Sequence, residues 1–269
     1  MRLGAGLWRL TAPNAGLMTG SGTNTYLLAG GADSLVIDPG PDDPPHLAAL
    51  IEAAPAPIGR ILLTHTHEDH SPGAARLGAL TGARVLGRTA MHAHARDESV
   101  RFDRELADGD LLPLAGGTML RVLHTPGHAS NHLCYLLACE RLLFTGDHII
   151  EGSTVVIDPP DGDMAAYLDS LKRLLAEDIA WLAPGHGTLI PGAAAAIRAL
   201  IAHRQRREAQ LLAALDPVRA LSTEVLLERV YRDLPAALKP VAERSLLAHL
   251  LKLESEGLAR RSAALWGRC

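Results

Sequence analysis

Apolar and polar positions change with short periods over the first two thirds of the chain and with a helical period over the last third. Residues 25–29, 34–38 and 60–64 are short apolar runs closed by glycine, proline or polar clusters, and they predict strands. Further strands are expected at 84–87, 119–124, 133–137, 141–145 and 180–183. Between them, residues 71–80 predict a helix with Ser71 as N-cap and Pro72 in the first turn. Residues 164–176 carry Leu168, Leu171, Leu174 and Leu175 on one helical face. After Pro191-Gly192 the pattern becomes helical at 193–215, 222–231 (capped by Ser222 or Thr223) and 242–256, with a short connection at 234–238. A basic, strand-like tail at 258–262 follows. Helix, helix, helix and then a β-ribbon is the order of a winged-helix module. The division expected is 1–191 for an α/β domain, 192–215 for a connecting helix and 216–269 for the winged helix.

Composition narrows the possible functions. Aromatic residues are 3% of the chain, which argues against a stacking platform for single-stranded bases. Residues 1–189 hold 13 Lys and Arg against 22 Asp and Glu, a balance of −9; residues 190–269 hold 13 against 8, a balance of +5. The first suits a domain that gathers carboxylates at a metal; the second suits an acidic partner or a solvated helix face. Cys134, Cys139 and Cys269 are an odd number without CxxC spacing, so neither a disulfide framework nor a thiolate zinc site is indicated. Cys134 and Cys139 lie in an apolar run and are expected in the core. The N-terminal segment has Gly, Pro and Asn where a signal peptide would be apolar, and no apolar span reaches about 18 residues. A cytoplasmic protein without membrane association is expected.

The densest chemistry is His65-Thr66-His67-Glu68-Asp69-His70, directly after a strand and before a helix. Residues 65 and 67 are two apart, so on extended backbone both imidazoles point one way and can share an ion. Asp69 and His70 come where the chain turns and can face a second ion. A lone histidine at a strand end is usually a hydrogen-bonded surface residue. Three histidines and an aspartate crowded together are electrostatically poor without a cation. His128 in Thr125-Pro126-Gly127-His128, Asp147 in Thr145-Gly146-Asp147 and His186 in Pro184-Gly185-His186-Gly187 add three candidates at other strand ends. Histidine and carboxylate ligands without thiolate suit zinc, and also iron or manganese. Two ions sharing a water lower its pKa towards about 7, which makes hydroxide available without a protein base.

With these motifs the chain resembles the metallo-β-lactamase superfamily. The resemblance implies a four-layer αβ/βα sandwich with a binuclear site at one edge, followed by the small winged-helix domain. It implies that His65, His67 and His128 hold the first metal and Asp69, His70 and His186 the second, with Asp147 between them. Two zinc ions and a metal-bridging hydroxide are the expected cofactor and nucleophile, with Asp69 orienting the hydroxide and carrying the proton. Gly22-Thr23-Asn24-Thr25-Tyr26-Leu27, Gly152-Ser153-Thr154 and residues 247–254 resemble more narrowly the group of β-lactamase-like protein 2. That resemblance implies an endoribonuclease acting on single-stranded RNA. A glyoxalase II-like thioesterase or other small-ester hydrolase is the alternative, and a non-catalytic winged-helix nucleic-acid-binding protein is a third reading. Export-type β-lactam hydrolysis ranks below these.

His92-Ala93-His94 repeats the H-x-H spacing, but a helix expected over 89–96 would turn the two rings apart. His132 is a candidate for supporting a ligand or touching substrate; His148 is expected to have a structural role, and His203 and His249, on helices far along the chain, to be surface or packing residues. The Gly-rich stretch 13–24 is expected to be a loop that can overhang the site. Arg204, Arg206, Arg207, Arg260, Arg261 and Arg268 offer charge to phosphates or simply to solvent. The winged helix can equally cap the site or join two copies into a homodimer.

Overall fold

The computed structural model describes residues 1–4, 6–92 and 97–269. Two mixed sheets face each other. The first runs in chain order from β1 (Arg2–Gly4) and β2 (Leu7–Thr11) through β3 (Asn24–Ala29), β4 (Ser34–Ile37), β5 (Ile58–Leu62) and β6 (Arg84–Gly87) to β7 (Arg104–Glu105). The second is built from β8 (Leu111–Pro113), β9 (Met119–His124), β10 (Leu133–Leu137), β11 (Leu142–Gly146), β12 (Trp181–Pro184) and β13 (Ile190–Pro191), also in sequence order.

Strand residues alternate between two apolar environments, which is why most strands read as continuous apolar runs. Tyr26, Leu28, Leu35, Ile37 and Leu62 meet Val122, Leu133, Tyr135 and Phe144 between the sheets. Their neighbours Leu27, Val36, Ile61 and Leu63 face outward onto α1 (Pro44–Ala53) and α2 (Gly73–Thr81) through Leu47, Leu50, Ala74 and Leu77. On the far side Cys134, Leu136, Leu143 and Leu182 pack on α3 (Met164–Leu174) and on Ala193 and Ile197 of α4 (Ala193–Ala214). Helix, sheet, sheet, helix is the layer order expected.

Beyond α4, α5 (Thr223–Val230), α6 (Lys239–Ser255) and the small sheet of β14 (Leu221–Ser222), β15 (Ala259–Ser262) and β16 (Leu265–Arg268) surround Leu226, Leu246, Leu250 and Trp266. This is a winged helix. Helix α4 lends Ile197 to the sandwich and Leu211 to the winged-helix core, so one rigid element ties the two together.

Several local expectations need correction. Ser71 does not cap α2: the helix starts at Gly73 with no side-chain cap, and the Ser71 hydroxyl instead donates to Asp97 at 2.6 Å, with the His67 carbonyl 3.2 Å away. The last long helix starts at Lys239, three residues before the predicted position, with Pro240 tolerated in its first turn. Cys139 is exposed in the turn joining β10 and β11, so only Cys134 is a core thiol. Residues 89–92 are not helical; residues 93–96, with His94, lie outside the described residues. No helix among the described residues is long and apolar enough to cross a membrane.

The topology decides where chemistry can sit. β4 and β5 are parallel neighbours, as are β11 and β12. Parallel neighbours put their C-terminal ends at the same edge of a sheet. β9 runs the same way as β11, because each is antiparallel to β10 between them. The chain segments after β4, β5, β9, β11 and β12 therefore emerge at one edge of the sandwich.

Candidate metal centre

All seven predicted ligands meet at that edge. His65, His67 and His128 form one group, and Asp69, His70, Asp147 and His186 the other; within each group the ligand atoms lie within 4.8 Å of one another. In the first, His65 Nε2 is 2.9 Å and His128 Nε2 3.0 Å from His67 Nδ1. In the second, His186 Nε2 is 3.1 Å and His70 Nε2 3.4 Å from Asp69 Oδ2. Asp147 spans the two: Oδ1 is 3.3 Å from both His70 and His186, and Oδ2 is 3.8 Å from His128.

Each strand end is shaped to allow this approach. At Gly185 a Cβ would lie 2.7 Å from both Asp147 Oδ1 and His70 Cε1, so only glycine lets the His186 turn pass so close. At Gly127, which has a positive φ, a Cβ would fall 2.3 Å from Tyr167 Cα.

The imidazoles are oriented from behind, as metal ligands usually are. His70 Nδ1 is 3.0 Å from Asp38 Oδ2, His128 Nδ1 is 2.7 Å from the Val156 carbonyl and His186 Nδ1 is 3.2 Å from the Gly22 carbonyl. His65 Nδ1 is 3.0 Å from Thr64 Oγ1, which itself donates to Asp38. The remaining ring nitrogens turn inward. His70 Nε2, His186 Nε2 and Asp147 Oδ1 are buried with no hydrogen-bond partner. Orphaned polar atoms of this kind, converging on one space, fit a pair of cations.

Electrostatics within the cluster are consistent with that fit. Burial and the neighbouring imidazoles hold His65 well below its usual range, and His67 falls to about 4 for the same reasons. Burial opposes charge on His70 too, but Asp69, Asp147 and Asp38 outweigh it and raise its pKa well above normal. His186 rises to about 9: burial lowers it, and the stronger pull of Asp147 and Asp69 reverses the sign. Burial would raise both carboxylates, yet His70 and His186 leave Asp69 and Asp147 well below the usual carboxylate range. His65, His67 and the two carboxylates thus offer deprotonated donors at neutral pH, and His70 and His186 do so once a cation replaces the proton.

Other candidates fall elsewhere. His132 is fully buried behind His65, its ring stacked at 5.1 Å and its Nδ1 3.0 Å from Thr125 Oγ1, so it packs against a candidate ligand and is closed to solvent. His148 is buried between His132 and Tyr167. His249 packs inside the winged-helix region against Glu208. The 13–24 loop does reach the site. Thr23 Oγ1 is 3.5 Å from Asp69 Oδ2, Thr23 bridges His186, and a two-way Gly16–Gly20 backbone pairing closes its tip around exposed Leu17 and Met18. Sequence reasoning missed Asp38. It directly follows a strand and precedes Pro39-Gly40, the same strand-end placement that marked the other ligands.

Arg204 was expected at the surface and is buried, its guanidinium donating to the Val155 carbonyl. Arg207 lies over the Tyr231 ring and donates to the Val230 carbonyl, and Arg260 and Arg261 donate to the Pro217 and Ala263 carbonyls.

A histidine and carboxylate basin at the edge of an αββα sandwich defines a class, the metal-dependent hydrolases built on that fold. The chain belongs to the metallo-beta-lactamase superfamily: that family's signature matches residues 18–186, and the beta-lactamase associated winged helix domain matches residues 222–266. It is 34% identical to the beta-lactamase-like protein 2 homolog of Drosophila melanogaster, over 97% of this chain and 92% of that protein. It is also 34% identical to an atrochrysone carboxyl ACP thioesterase of Paecilomyces divaricatus, over 78% of this chain and 65% of that longer protein. Among solved structures, a metallo-beta-lactamase family protein from Thermus thermophilus superposes with a TM-score of 0.83 at 25% identity, covering 99% of this chain and 100% of that one.

Proposed function

We propose that this hydrolase works with two metal ions, zinc in the first place, and that it cleaves thioesters of apolar acyl groups. His65, His67 and His128 would hold one ion, Asp69, His70 and His186 the other, with Asp147 between them. Bound there, the pair supplies Lewis acidity and a hydroxide at neutral pH. The protein's own part is positional. Asp147 is 14% exposed and enclosed by three imidazoles, so it is fixed. Asp69 is 27% exposed, the more open of the two carboxylates, and is placed to orient the attacking hydroxide and to carry its proton to the leaving sulfur as the C–S bond breaks.

The observation that carries the substrate class is the loop tip. Leu17 and Met18 are 68% and 53% exposed on a hairpin whose stem is docked on Asp69 and His186. Exposed apolar side chains beside a polar centre suit an apolar acyl chain better than a sugar-phosphate backbone. The relative named as an ACP thioesterase supports the same chemistry. Single-stranded RNA has less support, because four of the six candidate arginines, Arg204, Arg207, Arg260 and Arg261, are engaged with backbone carbonyls of the chain itself.

The test is turnover by zinc-loaded protein of a series of S-acyl pantetheine thioesters of rising chain length, beside unstructured RNA. Thioester hydrolysis is expected to improve with chain length, to be abolished by Asp69→Ala and to weaken in KM with Leu17→Asp. RNA cleavage that Asp69→Ala abolishes, with thioesters untouched, overturns the substrate assignment and restores the endoribonuclease.

A further inference from the structure

Three consecutive residues link the metal centre to the C-terminal helices. The Val156 carbonyl accepts from His128 Nδ1 at 2.7 Å, which leaves His128 Nε2 directed at His67. On one side, the Val155 carbonyl accepts from the Arg204 guanidinium of α4. On the other, the Ile157 N–H donates to Ser245 Oγ of α6 at 3.2 Å. The next residue, Asp158, pairs with Arg244 of α6 at 3.1 Å. Val155, Val156 and Ile157 are thus a strap pinned at one end by α4 and at the other by α6, and its middle carbonyl orients a candidate ligand.

Arg204 is the unusual member. It is 2% exposed, and its Nε has no partner. Its compensation is the Val155 carbonyl and the face of Tyr167, 5.4 Å from the guanidinium carbon. Burying a guanidinium with so little around it is costly, and an apolar side chain would fill the space more cheaply. What the guanidinium supplies, and an apolar group would not, is a hold on two supports of the site. One is the strap. The other is Tyr167, whose hydroxyl donates to the His148 carbonyl at 3.0 Å, immediately after Asp147, and whose backbone lies against Gly127, immediately before His128.

We propose that Arg204 and Ser245 are positioning residues of the metal centre: they fix the strap so that the Val156 carbonyl sets the tautomer and orientation of His128. The winged-helix region is then a working part of the active site, not an appended binding module. The inference rests on the two-metal reading, and its test separates the two. Metal-free full-length protein is titrated with Co2+ in competition with a chelator, and the visible absorption of the bound ion is recorded together with the melting curve.

Arg204→Met is expected to weaken the ion held by His65, His67 and His128 by about 10-fold, the lower end of what losing a ligand's direct hydrogen-bond partner costs, and to change its absorption band. Arg204→Lys, which keeps one donor and the charge, should recover part of both. Ser245→Ala, which removes a single hydroxyl, should move the band the same way with a smaller loss, and it decides the matter if Arg204→Met does not fold. Ile197→Ala is the control for packing alone: Ile197 is buried about two turns earlier on α4, so its truncation should lower the melting temperature and leave the band in place. Wild-type protein that binds no Co2+ overturns the two-metal reading and the inference with it. Wild-type protein that binds two ions, with Arg204→Met and Ser245→Ala shifting the band no more than Ile197→Ala does, overturns the inference alone.

Discussion

Asp38 offers a substitution that separates the folding of the site from its capacity for metal. The carboxylate is 2% exposed at the end of β4, where the backbone takes a positive φ of 51° that asparagine also tolerates. Oδ1 accepts the Thr64 N–H at 2.7 Å; Oδ2 accepts the Thr64 hydroxyl at 2.7 Å and His70 Nδ1 at 3.0 Å. In Asp38→Asn the amide oxygen must stay opposite the Thr64 N–H, a backbone donor that cannot turn away. The NH2 group then occupies the place of Oδ2. Thr64 Oγ1 can accept from it, since a hydroxyl serves either way. His70 can accept only by giving up its Nδ1 proton, which places the ring proton on Nε2, the atom that faces Asp69 and Asp147. A protonated nitrogen cannot ligate.

The expected result is a loss of about 10–100-fold in affinity for the ion held by Asp69, His70 and His186, or about 1.4–2.8 kcal/mol at 1.4 kcal/mol per tenfold. Because the Thr64 N–H, the backbone donor at this strand end, keeps its acceptor, the fold should persist. Asp38→Ala differs: it leaves the Thr64 N–H buried without an acceptor, which costs about 1–3 kcal/mol of folding stability whether or not metal is present. Zinc titration against a competing chelator, with melting curves of metal-free protein, measures both. An Asp38→Asn protein that binds two ions at wild-type affinity refutes the tautomer argument.

Three further outcomes follow from the same geometry. Stripping the metal should make stability depend on alkaline pH. His186 has a folded pKa of about 9 against an ordinary 6.5, so its contribution is complete below about 6.5 and is lost as the pH rises through 9. Melting curves of chelated protein should therefore fall over that window while zinc-loaded protein stays level; parallel curves count against it. Gly185→Ala places a methyl group 2.7 Å from Asp147 Oδ1 and His70 Cε1, so the purified variant should be folded by circular dichroism yet hold less zinc by elemental analysis; full occupancy contradicts the packing described. Leu226→Ala truncates a fully buried side chain in the same core as Trp266 and should destabilise the winged helix by about 2–5 kcal/mol, read in urea from Trp266 fluorescence with Trp8 and Trp181 replaced by phenylalanine; an unmoved midpoint argues that this core is not a cooperative unit.

The ligands were legible in the sequence because each is a strand-end residue with an unusual local context: a crowded H-x-H-x-D-H run, or a histidine or aspartate beside glycine. The layers were legible because strands such as β10, with all five of its residues buried, read as apolar without interruption. Ser71 was misjudged for a different reason. Serine before proline is a sound capping signal, but Asp97 lies 2.6 Å away and wins the hydroxyl, a competition between residues 26 apart in the chain. Short edge strands such as β7 and β8 escaped because two or three residues hold no periodicity.

Arg204 shows where local reading must stop. By composition it belongs with Arg206 and Arg207 in a basic run on a long helix, and such runs are commonly solvated. The helical period alone separates them: Arg204 lies seven residues after Ile197 and seven before Leu211, both buried, so the three share one face of α4. That face turns inward, and it carries a cation where its neighbours on either side carry aliphatic groups. A charged residue at an apolar register position is therefore better evidence of an interior task than of a surface, provided some polar group awaits it. Here the Val155 carbonyl does, 49 residues away in sequence and one residue from the carbonyl that holds His128.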